Sequence, residues 1–139
     1  MLPWRFMRNM VDRDDRALSP AAAGSSPIDH QFLAEMTGGD HEFEKELLQE
    51  FLHTVPHLME QIHHAIASGD SATLARAAHT LKGSARAVGA QPLAEAALAV
   101  EMAAKAQRLE EASQAEHSLA AEWQRVKDYL ERIVLQHAA

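Results

Sequence analysis

The chain contains no cysteine, which excludes disulfide bonds, thiol catalysis and cysteine-ligated zinc. No apolar run approaches the roughly 20 residues that a membrane-spanning helix needs, and the N-terminal residues lack the apolar core and cleavage site of a signal peptide. We therefore expect a cytoplasmic protein with no membrane segment. The formal net charge of −7 argues against nucleic acid as the main partner.

Aromatic residues are scarce, at 5% of the sequence, whereas alanine is abundant. Because glycine and proline cluster where helices would end, this composition predicts an all-α protein. A length of 139 residues allows one domain with a modest core. Residues 1–27 mix charges with an Ala, Gly, Ser and Pro-rich run, so we predict a flexible tail or linker there and a helical domain over residues 28–139.

Capping residues and apolar spacing divide this domain into helices. The predicted helices run over about residues 29–36, 41–68, 71–89 and 92–107, with a last one from the capping box Ser113-x-x-Glu116 or a few residues earlier. Pro56 predicts a local kink or a missing hydrogen bond in the second. Long amphipathic helices joined by short turns predict an antiparallel up-and-down four-helix bundle, with the short N-terminal helix covering one end. We expect a monomer, because one bundle buries its own apolar seams.

The predicted third helix has two chemically different faces when it is projected at about 100° per residue. Its apolar residues form one stripe: Leu74, Ala77, Ala78, Leu81, Ala85 and Val88. On the opposite, solvent-facing side lie His79, Lys82, Gly83 and Arg86. The sequence therefore predicts a histidine that is presented outward beside two cations.

This polar face suits nucleophilic chemistry on a phosphoryl group. Neutral imidazole is a good nucleophile near neutral pH, and Lys82 and Arg86 would offset the charge of phosphoryl oxygens on His79. Gly83 costs the helix about 1 kcal/mol relative to alanine, but it leaves room for a partner to approach the imidazole. The alternative is a solvated face in which His79 is incidental. The combination with Gly83, Arg86 and a wholly apolar opposite face favours the functional interpretation.

The segment Ala78-His79-Thr80-Leu81-Lys82-Gly83-Ser84-Ala85, followed by Val88-Gly89-Ala90 and Leu93, closely resembles the signature of histidine-containing phosphotransfer (HPt) domains. The resemblance covers about residues 28–135, with Val100-Glu101 standing where the family usually has Leu-Glu. It implies that His79 is the phosphorylated histidine and that Lys82, Gly83 and Arg86 form its immediate surroundings.

The resemblance also implies the function and the partners. His79 would accept a phosphoryl group from the aspartate of a receiver domain and pass it to the aspartate of another receiver. The partners would be response-regulator receivers and a hybrid sensor kinase. The chain would need no cofactor of its own, and the Mg²⁺ would belong to the receiver. Autokinase activity is not expected, because the chain has no Gly-rich phosphate loop and is too short for a nucleotide-binding domain. The alternative is a module that binds and restrains a signalling partner without transfer.

Three features stay open at this stage. His53, His57, Glu60 and His64 share one stripe of the second long helix, where two imidazoles one turn apart can hold a transition metal. We favour a solvated stripe and predict no metal site, because ligands spread over nearly three turns cannot all reach one ion. Leu98 and Met102 form either a docking surface or an apolar patch that another segment covers. Met1 favours a free-standing protein, whereas the tail suits the terminal domain of a hybrid kinase.

Overall fold

The computed structural model describes residues 26–138. Five helices occupy this part of the chain, which contains no strand: α1 (His30–Thr37), α2 (His41–Ser68), α3 (Ser71–Ala87), α4 (Gln91–Lys105) and α5 (Leu109–Ala138). Most of the predicted tail, residues 1–25, lies outside the described residues, so the domain boundary at residue 28 stays a prediction. The predicted fold class is confirmed.

Aspartates begin the first three helices, and those at Asp40 and Asp70 do so as the sequence predicts. The side chains of Asp29, Asp40 and Asp70 each accept a hydrogen bond from a backbone N–H in the first turn, at 3.0–3.1 Å. Helices α1 and α2 then end at glycines in the left-handed conformation. Local capping therefore fixes where the chain turns, and each turn is short enough to make neighbouring helices antiparallel.

The structure tests the sequence predictions for Pro56 and for the start of the last helix. Helix α2 is continuous across Pro56, so the proline costs a backbone hydrogen bond but does not divide the helix. The capping box at Ser113 is wrong, whereas the earlier start is confirmed, because α5 begins at Leu109. The turn before it ends at Arg108, whose carbonyl accepts from the N–H of Ala112 at 3.0 Å, and Gln107 takes the left-handed φ of 58° that closes the turn.

The bundle is closed by packing of α3 on α2 and α4, and of α5 on α4 and α2. Helix α1 lies against α2, and the N–H of Asp29 donates to the carbonyl of Gly89 at 2.9 Å, which ties its start to the α3–α4 turn. Alanines make up most of the buried residues of α3 and α4: Ala77, Ala78, Ala85, Ala94, Ala97, Ala103 and Ala104. Short side chains let two helices approach closely, which brings the side chains at the edge of this interface within reach of one another.

Candidate functional site

His79 stands in the middle of α3 with its side chain 66% exposed, as the sequence predicts. Gly83 and Arg86 are also exposed on this face, and a Cβ atom built on Gly83 would meet nothing within 4 Å. Lys82 differs from the expectation, because its side chain is only 14% exposed. It turns away from solvent toward α4. Three of the four predicted site residues therefore face outward, and the fourth faces a neighbouring helix.

The target of Lys82 is Glu101, a buried acid on α4 that is 2% exposed. The Nζ atom of Lys82 lies 2.7 Å from Glu101 Oε1. At this distance the two groups form an ion pair, so the ammonium charge of Lys82 compensates a carboxylate oxygen that is out of contact with solvent. The other oxygen, Oε2, lies 2.9 Å from His79 Nδ1 and 3.1 Å from Lys105 Nζ. One carboxylate thus joins the histidine to two lysines.

Glu101 is ionised in this cluster. Burial is the largest single influence on its carboxyl and raises its pKa, but the close contacts from Lys82, Lys105 and His79 together outweigh burial and lower the pKa to about 2. A buried acid normally resists ionisation, so this cluster is organised to keep a negative charge beside the imidazole.

The ionised carboxylate determines which nitrogen of His79 carries the proton. A carboxylate only accepts hydrogen bonds, so Nδ1 of His79 is the donor at 2.9 Å. In the neutral ring the lone pair then belongs to Nε2, which is the nitrogen on the solvent side of the imidazole. The arrangement therefore presents a nucleophilic nitrogen outward and fixes the orientation of the ring from behind.

A second pair has the same local geometry without the cations. His63 on α2 is 72% exposed, and its Nδ1 lies 3.0 Å from Oε2 of Glu116 on α5. Within residues 26–133, no lysine or arginine forms an ion pair with Glu116, in contrast to the two that pair with Glu101. Within the same residues an exposed imidazole therefore pairs with a glutamate twice, and only the pair formed by His79 also includes lysines.

Sequence reasoning missed the role of Glu101. The motif includes Glu101 without giving it a role, although the sequence contains a signal. Glu101 stands one turn after Ala97 in the apolar stripe of α4, where an acid is costly unless it is paired. Lys105, four residues further on, is the partner that helical spacing provides. The third contact, with His79, depends on packing between two helices and is not readable from either segment alone.

The imidazole stripe of α2 brings two of its histidine rings together. The rings of His53 and His57 lie edge to face with centroids 5.6 Å apart. Across residues 26–133, no three histidine, aspartate or glutamate side chains converge in a way that would hold a metal ion. The same part of the chain contains no helix with both the length and the apolar composition needed to cross a bilayer.

Comparison with known proteins shows the family to which the chain belongs. The family model described as Hpt domain matches residues 46–134, and the chain belongs to that family. Its general role is therefore histidine phosphotransfer in phosphorelay signalling of the two-component type, in which Hpt domains carry phosphoryl groups and work with receiver domains and hybrid kinases.

Two solved structures share the fold. Histidine-containing phosphotransfer protein B (HptB) from Pseudomonas aeruginosa PAO1 has a TM-score of 0.76 and 22% identity, over 81% of this chain and 98% of that one. The HPT domain of the Hpt sensor hybrid histidine kinase from Shewanella has a TM-score of 0.72 and 21% identity, over 82% of this chain and 98% of that one. No curated protein sequence matches the chain.

Proposed function

We propose that His79 is the residue that carries the phosphoryl group. The observation that supports this most strongly is the pairing of an exposed imidazole with a buried, ionised carboxylate, which leaves the Nε2 lone pair directed to solvent. The protein accepts the phosphoryl group from the aspartyl phosphate of one receiver domain and passes it to the aspartate of another.

In the transfer step, Nε2 of His79 attacks phosphorus as the bond between phosphorus and the receiver's aspartate oxygen breaks. The electron pair of that bond stays on the receiver's carboxylate. The Nδ1 proton stays on the ring, which becomes positively charged, and the Glu101 carboxylate 2.9 Å away balances that charge. Catalysis of this kind depends on positioning and on neutralising charge more than on covalent chemistry in the protein. The divalent ion that receivers use is held by the receiver in this proposal.

Each neighbour of His79 has a distinct part in the proposal. Lys82 keeps the Glu101 carboxylate ionised and supplies positive charge close to the phosphoryl group. Arg86, exposed one turn beyond Gly83, contacts phosphoryl oxygens or an acidic patch of the docked receiver. Gly83 leaves the approach to the imidazole open, which offsets its cost to the helix.

The proposed docking surface includes Leu98 and Met102 on α4. Both lie outside the buried stripe of α4 that carries Glu101, and Met102 is 62% exposed while Leu98 is half-buried. Replacing Met102 with aspartate removes an exposed apolar contact, so it should weaken receiver binding without changing stability. Replacing Leu98 with aspartate tests the alternative: loss of stability with unchanged binding would show that the patch is covered within the protein.

Phosphotransfer from a panel of phosphorylated receivers tests the proposal. Wild type should acquire an acid-labile, base-stable label, and His79→Gln should acquire none while keeping its helical circular dichroism, because the side chain is mostly exposed. The matched control is His63→Gln, which makes the same change at the other His–Glu pair and should label like wild type. Labelled ATP alone should leave the protein unlabelled. No label from any competent receiver, with the fold intact, would favour a binding module instead.

A further inference from the structure

Lys105 lies at the edge of the Glu101 cluster and has no part in the function proposed so far. Its Nζ atom is 3.1 Å from Oε2 of Glu101, one helical turn earlier on α4. The same oxygen accepts from His79 Nδ1 at 2.9 Å, whereas Lys82 pairs with the other oxygen. Lys105 and His79 therefore share one acceptor atom.

The two lysines are held very differently. The Lys82 side chain is 14% exposed and is held against Oε1 at 2.7 Å, so moving it would leave a buried charge without its partner. The Lys105 side chain is 65% exposed, and its ammonium group sits on a flexible stem in contact with solvent. Of these two cations, Lys105 is the one that can change partner at little cost.

Phosphorylation of His79 would place a second anionic group near Lys105. The ammonium group and Nδ1 contact the same oxygen, so they lie within about 6 Å of each other, inside the range over which charges interact appreciably at physiological salt. A phosphoryl group on Nε2 adds strong acceptor oxygens and about two negative charges at the exposed edge of the ring. An ammonium group that shares Oε2 before transfer is therefore within reach of those charges after transfer.

We propose that Lys105 is a charge-balancing residue that pairs with Glu101 in the unphosphorylated protein and turns to the phosphoryl oxygens after transfer, which sets how far the equilibrium favours phosphorylated His79. The inference rests on the proposed function of His79. The transfer step is the one given above: the bond between Nε2 and phosphorus forms, the bond to the receiver's aspartate oxygen breaks, and no proton leaves Nδ1. Lys105 acts on the relative stability of the two states without exchanging atoms.

The equilibrium test compares Lys105→Gln, which removes the charge, with Lys105→Arg, which keeps it. The matched control is Lys45→Gln, which removes a lysine from α2 beside His41 and Leu48. Each variant is mixed with a receiver that labels wild type, and the ratio of the two phosphorylated proteins at equilibrium is read on a phosphate-affinity gel. Lys105→Gln should move the equilibrium about three- to tenfold toward the receiver, and the shift should shrink as salt rises to about 1 M. Lys105→Arg and Lys45→Gln should stay within about twofold of wild type. An unchanged equilibrium in Lys105→Gln, or an equal shift in Lys105→Arg, would overturn the proposal.

A receiver-free measurement separates failure of this inference from failure of the proposed function. Phosphoramidate transfers a phosphoryl group to imidazole with release of ammonia, and the ³¹P resonance absent from His79→Gln identifies the group on His79. A nearby cation disfavours the protonated, imidazolium form of the phosphorylated ring, so the midpoint of the pH titration of its ³¹P shift should rise by about half a pH unit in Lys105→Gln and stay unchanged in Lys105→Arg. An unchanged midpoint in Lys105→Gln would overturn the role of Lys105, even if every receiver transfers to His79. Normal Lys105 results with no receiver transfer would contradict the proposed function alone.

Discussion

Replacing Glu101 with glutamine is the most informative single change at the site. The glutamine has nearly the same shape but no charge, so the ion pairs with Lys82 and Lys105 are lost while the side chain still fits. Its amide can also donate or accept, whereas the carboxylate only accepts. The variant therefore removes the feature that fixes the proton on Nδ1 of His79 and leaves the fold of the cluster largely in place.

The expected loss in transfer rate follows from the hydrogen bond between His79 and residue 101, which changes from charged to neutral. A hydrogen bond to a charged group contributes about 1.5–3 kcal/mol, and one between neutral groups about 0.5–1.5 kcal/mol. The difference at the bond from His79 Nδ1 to Glu101 Oε2 is about 1 kcal/mol, because the imidazole is two-thirds exposed and water competes for it. This corresponds to a change of about fivefold in the ratio of the two tautomers, and hence to a loss of up to about fivefold in the transfer rate.

The assay is the initial rate of phosphotransfer from one phosphorylated receiver, with the tautomer of His79 followed separately by its ¹⁵N chemical shifts. The matched control is Glu116→Gln, which makes the same chemical change at the His63 pair and should leave the rate unchanged. Circular dichroism checks that both variants remain folded. A Glu101→Gln rate within twofold of wild type, with an unchanged tautomer, would refute the reasoning that the carboxylate orients the nucleophile.

Three further predictions concern stability. First, because the folded-state pKa of Glu101 is lowered from 4.5 to about 2, its ionisation contributes stability that is fully present above about pH 5 and is lost as the pH falls through 4.5 toward 2. The contribution to the free energy of unfolding is at most about 3 kcal/mol, and it is smaller because water screens the exposed Lys105. The urea midpoint should therefore fall more steeply with decreasing pH in wild type than in Glu101→Gln. An equal dependence of the midpoint on pH in the two proteins would contradict this. Second, Gly83→Ala should raise the free energy of unfolding by up to about 1 kcal/mol, because the methyl group has open space, and should slow transfer by narrowing the approach to His79. A destabilised Gly83→Ala would show that the backbone there is strained. Third, Gly89→Ala should destabilise by about 1–3 kcal/mol, because φ is +78° and its Cβ would lie 2.9 Å from the carbonyl oxygen of Asp29; an unchanged urea midpoint would show that α1 moves aside freely.

Much of this fold is readable from local chemistry. Helix starts at Asp40 and Asp70 depend on side chains that bond the nearest N–H groups, so the sequence contains the whole signal. The last helix is different: Ser113 and Glu116 have the spacing of a capping box, but Glu116 bonds His63 on another helix and the chain already turns at Gln107. The preceding turn determines that start, and a glutamine at its left-handed position gives no sequence signal where a glycine would have given one.

The candidate site is also only partly predictable from the sequence. Periodicity alone places His79, Gly83 and Arg86 on the exposed face, because a helix has one repeat and one buried stripe. It places Lys82 there too, yet the structure turns that lysine inward, since a buried carboxylate on α4 attracts it. The cluster around Glu101 joins residues about 20 positions apart, and its geometry is set by how closely α3 and α4 pack.

The most direct test of the central claim is to locate the phosphoryl group atom by atom. Wild-type protein labelled with ¹⁵N in its histidines is phosphorylated by a competent receiver and examined by proton–nitrogen and ³¹P NMR at neutral to alkaline pH. We expect one phosphorylated imidazole, His79, with phosphorus on Nε2 and the proton on Nδ1. Phosphorus on Nδ1, or on another histidine such as His63, would contradict it.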